Sequence, residues 1–309
     1  MRITVIGSLA MDQTAEMDVF PSDGQTVMGN AVRYSPGGKG NNQCVAAARL
    51  SGNVEMVGMV GSDANGRELR SLLRAEGIAD RFVFSCDLPT GMAQIQVNGS
   101  GQNRICVVPS ANHAFGFGDL DRADEAIRES GIVLLQMELR NDVTFEAVRR
   151  AKKYGKTVIF NPAPASGLPD ELYPMIDYLT PNETELSVLT GLPAETPEQI
   201  AAAAAVLRKR DTGNVIVTCG ARGVYADAEN FCGFSEGFRV HAVDTVAAGD
   251  CFNGALAAGL SEGMSLADAL RFANAAGALS VQRKGAVPSL PNREDVDSFL
   301  RAHARVEHI

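Results

Sequence analysis

The chain has 309 residues, 45% apolar and 21% charged, and a formal net charge of −9. A chain of this size buries about three quarters of its unfolded surface, enough for a substantial core. Acidity without basic tracts argues against nucleic acid or an anionic membrane as the main partner, so an anionic ligand has to be drawn in by a local site.

The opening MRITVIGS reads as a short buried strand over residues 2–7 and lacks the apolar length and cleavage site of a signal peptide. No apolar run approaches the ~18 residues that span a bilayer, and a cytoplasmic location is expected. Residues 17–34 look extended, with Pro21 and Gly24 marking a turn. Residues 40–50 form a helix of small residues, 55–60 a strand and 66–76 an amphipathic helix. Residues 81–86, 92–97 and 104–109 are strand-rich, and Asn98-Gly99-Ser100-Gly101 supplies a hairpin turn between the last two. Beyond Gly118 helices and strands alternate. Helices are expected over 120–129, 143–154, from Glu183, and over 197–208, 248–262 and 266–283, with a last one starting near Asn292. Strands are expected over 132–136, 157–160, 178–180 and 214–218. This alternation predicts an α/β fold, a mainly parallel sheet covered on both faces. The strand-rich pieces near 10–36 and 86–110 fit that sheet poorly and are expected to pair as a small β-lid, within one domain spanning 1–309.

The six cysteines (44, 86, 106, 219, 232, 251) include no CxxC pair and read as reduced thiols. The four histidines (113, 241, 303, 308) share no metal-ligand spacing.

Four segments carry chemistry. In SPGGKGNNQ (35–43) adjacent glycines let the backbone approach a ligand and the next helix offers free N–H groups, with Lys39 and Asn42 as polar handles; a tight strand-to-helix turn is the other reading. In TPNETE (180–185) Asn182 and Glu185 share one face of a helix start, suited either to a water shell around Mg²⁺ or to a helix cap. In NVIVTCGARGV (214–224) a buried strand runs into a turn, placing Thr218 and Gly220 at the C-terminal edge of the sheet, where α/β proteins bind ligands. In VDTVAAGDCFNGA (243–255) Ala247, Ala248 and Gly249 precede a helix. Their amides would form an anion site, and Asp250 beside it suits the role of taking a proton from an attacking hydroxyl.

Together with NPAPA (161–165) and RKGAVPS (283–289), these segments resemble, in order, the signatures of the PfkB family of carbohydrate kinases, and most closely its ribokinase branch. The resemblance implies a ribokinase-like fold and ATP-dependent phosphorylation of a primary hydroxyl on a small sugar, ribose first. The alternatives are 2-deoxyribose, another sugar or a nucleoside as acceptor, or a non-catalytic sensor. It implies that Asp12, Gly38, Lys39, Asn42, Glu138 and Asp250 line the sugar pocket. Asn182 and Glu185 would organise Mg²⁺ and phosphate, with the metal held by Glu185 through water. Thr218, Gly220, Gly249 and Asn274 would surround the nucleotide, and Ala247, Ala248, Gly249 and Asp250 would form the catalytic anion hole and base. K⁺ would sit at Asp244, Val246, Ser280, Arg283, Gly285 and Ser289, and two chains would pair through their lids as a homodimer. One position departs from the pattern. Ala10 stands where the branch carries a sugar-contacting Asn, so an altered acceptor preference is expected.

Overall fold

The computed structural model describes residues 1–304; His308 lies outside them. In chain order the first elements are β1 (Ile3–Ile6), β2 (Ala10–Glu16), β3 (Ala31–Gly37), α1 (Lys39–Ser51), β4 (Val54–Gly61), α2 (Ala64–Ala75), β5 (Ala79–Cys86), β6 (Gly91–Val97) and β7 (Asn103–Val108). There follow α3 (Ala111–Ala114), α4 (Phe117–Arg122), α5 (Asp124–Glu129), β8 (Ile132–Leu135), α6 (Asn141–Lys153), β9 (Thr157–Phe160), β10 (Tyr178–Leu179), α7 (Glu183–Thr190) and α8 (Pro197–Arg208). The chain closes with β11 (Asn214–Thr218), β12 (Gly223–Ala228), β13 (Phe231–Glu236), α9 (Ala248–Ser261), α10 (Leu266–Ser280) and α11 (Arg293–Ala302).

Nine strands form the main sheet in the order β13-β12-β11-β10-β9-β8-β1-β4-β5, parallel except for β12 and β13. The continuous apolar runs follow from burial on both faces. In β1, Ile3 and Val5 enter one core while Ile6 enters the other, and in β8 Ile132 and Leu134 oppose Val133 and Leu135. Leu120, Ile127, Val143, Leu186 and Ile200 of α4–α8 cover one face. Val45, Leu69, Leu256, Leu270 and Val296 of α1, α2, α9, α10 and α11 cover the other. Each such side chain stabilises the fold by about 1.5–3 kcal/mol. Local signals set the helix starts. The Asp63 carboxylate accepts from the Gly66 amide ahead of α2, and Thr196 forms a capping box with Gln199 around Pro197.

The remaining four strands form a second sheet, β3-β2-β6-β7, in which β2 and β6 are parallel and the other pairs antiparallel. Residues 10–36 and 86–110 therefore do pair, with corrections. Residues 17–30 hold no strand, so the extended stretch starts only at Ala31. The strand at 81–86 belongs to the main sheet, paired parallel with β4. The helix expected over 120–129 is two short helices meeting at Ala123, and α10 stops at Ser280, leaving Arg283 in a turn. The antiparallel β12–β13 hairpin adds two strands to the sheet beyond those expected from the sequence. Among the described residues no helix is long and apolar enough to cross a membrane.

Candidate active site

The parallel strands deliver polar residues to one edge of the sheet. Ser8 follows β1, Glu138 follows β8, Asn161 follows β9, Thr180 and Asn182 follow β10, and Thr218 ends β11. The opening of α1 and the opening of α9 face the same edge, bringing residues 42–43 against residue 250.

At the start of α9, Ala247 has φ 60° and ψ 12°, a left-handed conformation that costs a residue with a Cβ roughly 1–2 kcal/mol. The turn aims amides out of the helix. The Ala248 amide makes a 3.3 Å bond to the Thr245 carbonyl. Those of Ala247, Gly249 and Asp250 meet no acceptor among the described residues, so the free amides are these three rather than 247–249. With the positive end of the helix dipole behind them they form an anion site, in a cavity of about 210 Å³ that Lys39, Asn182, Glu185 and Thr218 also line.

Asp250 is 6% exposed, and both its oxygens are held. Asn42 Nδ2 donates to Oδ2 at 3.0 Å, and Gln43 Nε2 donates to Oδ1 at 2.9 Å. A ring of buried bonds closes behind it. Gln43 Nε2 also reaches Asn161 Oδ1 at 3.1 Å, and Asn161 Nδ2 donates to the Thr180 carbonyl at 2.9 Å. The Thr180 hydroxyl donates to Asn253 Oδ1 at 2.6 Å, and Asn253 Nδ2 returns to the Gly249 carbonyl at 2.8 Å. The carboxylate and the free amides are thus parts of one hydrogen-bonded unit. Among the described residues Asn42 Oδ1 is buried without a partner, available to a hydroxyl donor.

Beyond Asp250 a cleft of about 850 Å³ opens under the second sheet, lined by Ser8, Ala10, Lys39, Glu138, Val107 and Met137 among others. Glu138 Oε2 accepts from the Ser8 hydroxyl at 2.5 Å and from the Lys39 amide at 2.9 Å, which fixes the turn at Gly38. Asp12 stands on β2 and packs against Gly37, where a Cβ would come within 2.3 Å of its Oδ2. Burial, helped by Glu138 and Asp250, pushes the Asp12 carboxyl up to about 7. Asp250 holds the Lys39 ammonium above its usual range, against burial and with help from Glu138 and Glu185. Lys39 lines both this cleft and the anion cavity.

On the other side lies a cleft of about 620 Å³ lined by Asn182, Thr218, Gly220, Gly249 and Asn274. Asn182 and Glu185 do form the helix cap. Asn182 Oδ1 accepts from the Glu185 amide and Glu185 Oε2 from the Asn182 amide, both at 2.8 Å. Glu185 Oε1 has no hydrogen-bond partner among the described residues, and burial holds this carboxyl above its ordinary range against the Asn182 amide and Lys39. Asn274 borders the cleft, but its Nδ2 is spent on the Ser235 and Glu236 carbonyls, at 3.1 and 3.3 Å.

Asp244 joins two loops beside α9, accepting from the Val246 amide at 3.0 Å and the Gly285 amide at 2.9 Å. The Ser280 and Ser289 hydroxyls donate to the Gly277 and Ala286 carbonyls, leaving their oxygens free to accept. The carbonyls of Val246, Arg283 and Gly285 accept no hydrogen bond among the described residues, which fits a monovalent cation bound by oxygen. The Arg283 guanidinium is exposed near Asp295, so only its carbonyl suits that role.

Gln43, Asn161, Thr180 and Asn253 do not stand out in the sequence as individual site residues. Their segments carry family signatures, but only the fold reveals that they close one ring.

Residues 1–293 match the model of the pfkB family of carbohydrate kinases. The chain is 38% identical over 299 residues to a ribokinase of Haemophilus influenzae, covering 96% of this chain and 98% of the relative. It is 35% identical over 302 residues to a deoxyribokinase of Salmonella typhi, covering 97% and 99%. The structure of Arabidopsis thaliana ribokinase complexed with ribose and ATP superposes with a TM-score of 0.91 at 36% identity, covering 97% of this chain and 98% of that one.

Proposed function

The chain belongs to the pfkB family of carbohydrate kinases, and on that premise we propose that this sugar kinase phosphorylates ribose at its primary hydroxyl with ATP, giving ribose 5-phosphate. The observation that carries the reading is the place of Asp250. It lines the anion cavity, which shares Lys39 with the cleft under the second sheet and Asn182, Thr218 and Gly249 with the cleft on the other side, and it stands one residue from the free Gly249 amide. A sugar held by Asp12, Lys39, Asn42 and Glu138, at the Gly38 turn, would present its hydroxyl to Asp250, which takes the proton as the oxygen attacks. The amides of 247, 249 and 250 would hold the charge of the moving phosphoryl group, and Lys39 would bridge the two substrates. Thr218, Gly220, Asn182 and Asn274 would border the nucleotide.

Mg²⁺ bound through water by Glu185 would neutralise phosphate charge. K⁺ held by Asp244, Ser280 and Ser289 and the carbonyls of Val246, Arg283 and Gly285 would stiffen the loop that carries the amides. We place the enzyme in the cytoplasm, where thiols such as these six stay reduced. The outer strands of the second sheet expose Val32, Tyr34, Ile105 and Val107, edges that a second copy would cover, so a homodimer is proposed as well.

One observation favours 2-deoxyribose as a second acceptor. Ala10 offers the cleft a methyl group where an amide would bind a hydroxyl, and the Salmonella relative bears the name deoxyribokinase. ADP release measured over ribose, 2-deoxyribose, other sugars and nucleosides, with and without Mg²⁺ and K⁺, tests the assignment. Ribose should give the highest kcat/KM. Release independent of every acceptor would remove it.

A further inference from the structure

Four backbone crossings join the second sheet to the core: β1 to β2, β3 to α1, β5 to β6, and β7 to α3. They converge at one waist. A Cβ on Gly38 would lie 2.9 Å from the Ala10 amide nitrogen and 3.1 Å from the Ser8 carbonyl oxygen. A Cβ on Gly91 would lie 3.0 Å from the Pro109 carbonyl oxygen and 3.1 Å from that of Leu9. Ser110 is held at φ 46° and ψ −116°, a strained conformation for a residue with a Cβ, and its hydroxyl donates to the Pro89 carbonyl at 2.6 Å. Any movement of the sheet relative to the core has to be absorbed in these segments.

At the centre of the waist sits Asn112, 2% exposed, a residue with no part in the chemistry above. Its Oδ1 accepts from the Leu9 amide at 3.0 Å, and its Nδ2 donates to the Leu9 carbonyl at 2.9 Å. The carboxamide acts as one residue of a neighbouring strand, pairing with both peptide groups of the last residue before β2. The Leu9 side chain is fully buried, so this residue is where the core ends and the cover begins. Gly91 is required beside it, because a Cβ there would come within 2.3 Å of Asn112 Nδ2.

We propose that Asn112 is a positioning residue that sets the angle at which β2 leaves the core, and through it the place of Asp12, two residues along that strand from Ala10 at the wall of the cleft. Ala10 and Asp12 share one face of β2, and an angular error at Leu9 is carried roughly 10 Å to residue 12. Sugar recognition would then depend on a side chain that borders the cleft yet has both ends of its amide committed to backbone. The inference rests on the reading of that cleft as the sugar site.

Asn112→Ala should raise the sugar KM about tenfold while the ATP KM stays unchanged and kcat at saturating sugar falls less than threefold. Hydrogen exchange in the sugar-free protein should quicken at residues 9–12 and 91–93 but not in β8 or β9. Asn112→Asp keeps the shape and still accepts from the Leu9 amide. At a pH low enough to keep it protonated, its second oxygen can donate to the Leu9 carbonyl as the amide does, so there it should fold where the alanine variant does not and shift both readouts the same way by less. An unchanged sugar KM with unchanged exchange in either folded variant overturns the proposal, as does a parallel rise in both KM values. Should the wild type release ADP with no sugar, the sugar-site reading falls, and the exchange at residues 9–12 alone decides the role of Asn112.

Discussion

Around Asp250 the polar groups are enclosed and held by one another. Gln43, Asn161, Thr180 and Asn253 link the carboxylate to the loop that bears the free amides, and each is at most 6% exposed. Around Asp12 the setting is different. Its strand belongs to a sheet whose β7 is exposed along its whole length and whose β3 is exposed over its first four residues. That sheet meets the core through four crossings and one buried carboxamide. The first region is pre-organised by its own network, so its geometry is independent of the acceptor. The second takes its geometry from its tether. Phosphoryl transfer should therefore resist substitutions in the cover, whereas the choice of sugar should respond to a single one.

The largest test of this contrast is Asp250→Asn, which should lower kcat by about 10³-fold or more while sugar binding by calorimetry persists. Turnover within tenfold of wild type would dissolve it. Next is Gln43→Leu, which breaks the ring without touching either substrate. A kcat loss of about 10–100-fold at nearly constant sugar KM is expected, together with a lower Tm, since Asn161 and Gln136 each lose a buried partner. An unchanged kcat would separate the ring from the base.

The cover is tested more gently. Ala10→Asn should shift the ratio of kcat/KM for ribose over 2-deoxyribose toward ribose by about tenfold, the worth of one recovered hydrogen bond. An unchanged ratio would mean that position 10 does not read the sugar. The smallest effect concerns stability. Asp12 ionises at about 7 in the folded protein, against 3.8 in an ordinary setting, so the folded state retains a proton the unfolded chain gives up. Stability from this group is full below about pH 4 and declines as pH rises to about 7. Asparagine has no such proton. The Tm of Asp12→Asn relative to wild type should climb between pH 4 and 7 and level off above, and a flat difference would place Asp12 in an ordinary environment.

The anion loop was legible because two alanines and a glycine before an aspartate have little other purpose at a helix start. The apolar runs revealed the main sheet because burial on both faces leaves no alternation to confuse with a helix. The β12–β13 hairpin was not legible. Its strands mix Asp227, Glu236 and Gly233 into a short apolar pattern, and its place beside β11 depends on tertiary packing. The order of the second sheet was hidden for another reason. Its central pair, β2 with β6, joins segments about eighty residues apart, and no local signal encodes that register. Asn112 lies in a stretch with no motif and is recognisable only from what it touches.

Asn42 and Gln43 stand 208 and 207 residues from the aspartate they hold. The centre is therefore a meeting of an early and a late segment of the polypeptide. During synthesis the early strands must wait for a helix made late, and in refolding the slow long-range docking of α1 on α9 precedes any turnover. Recovered activity thus reports the completion of folding, whereas helix content reports its start.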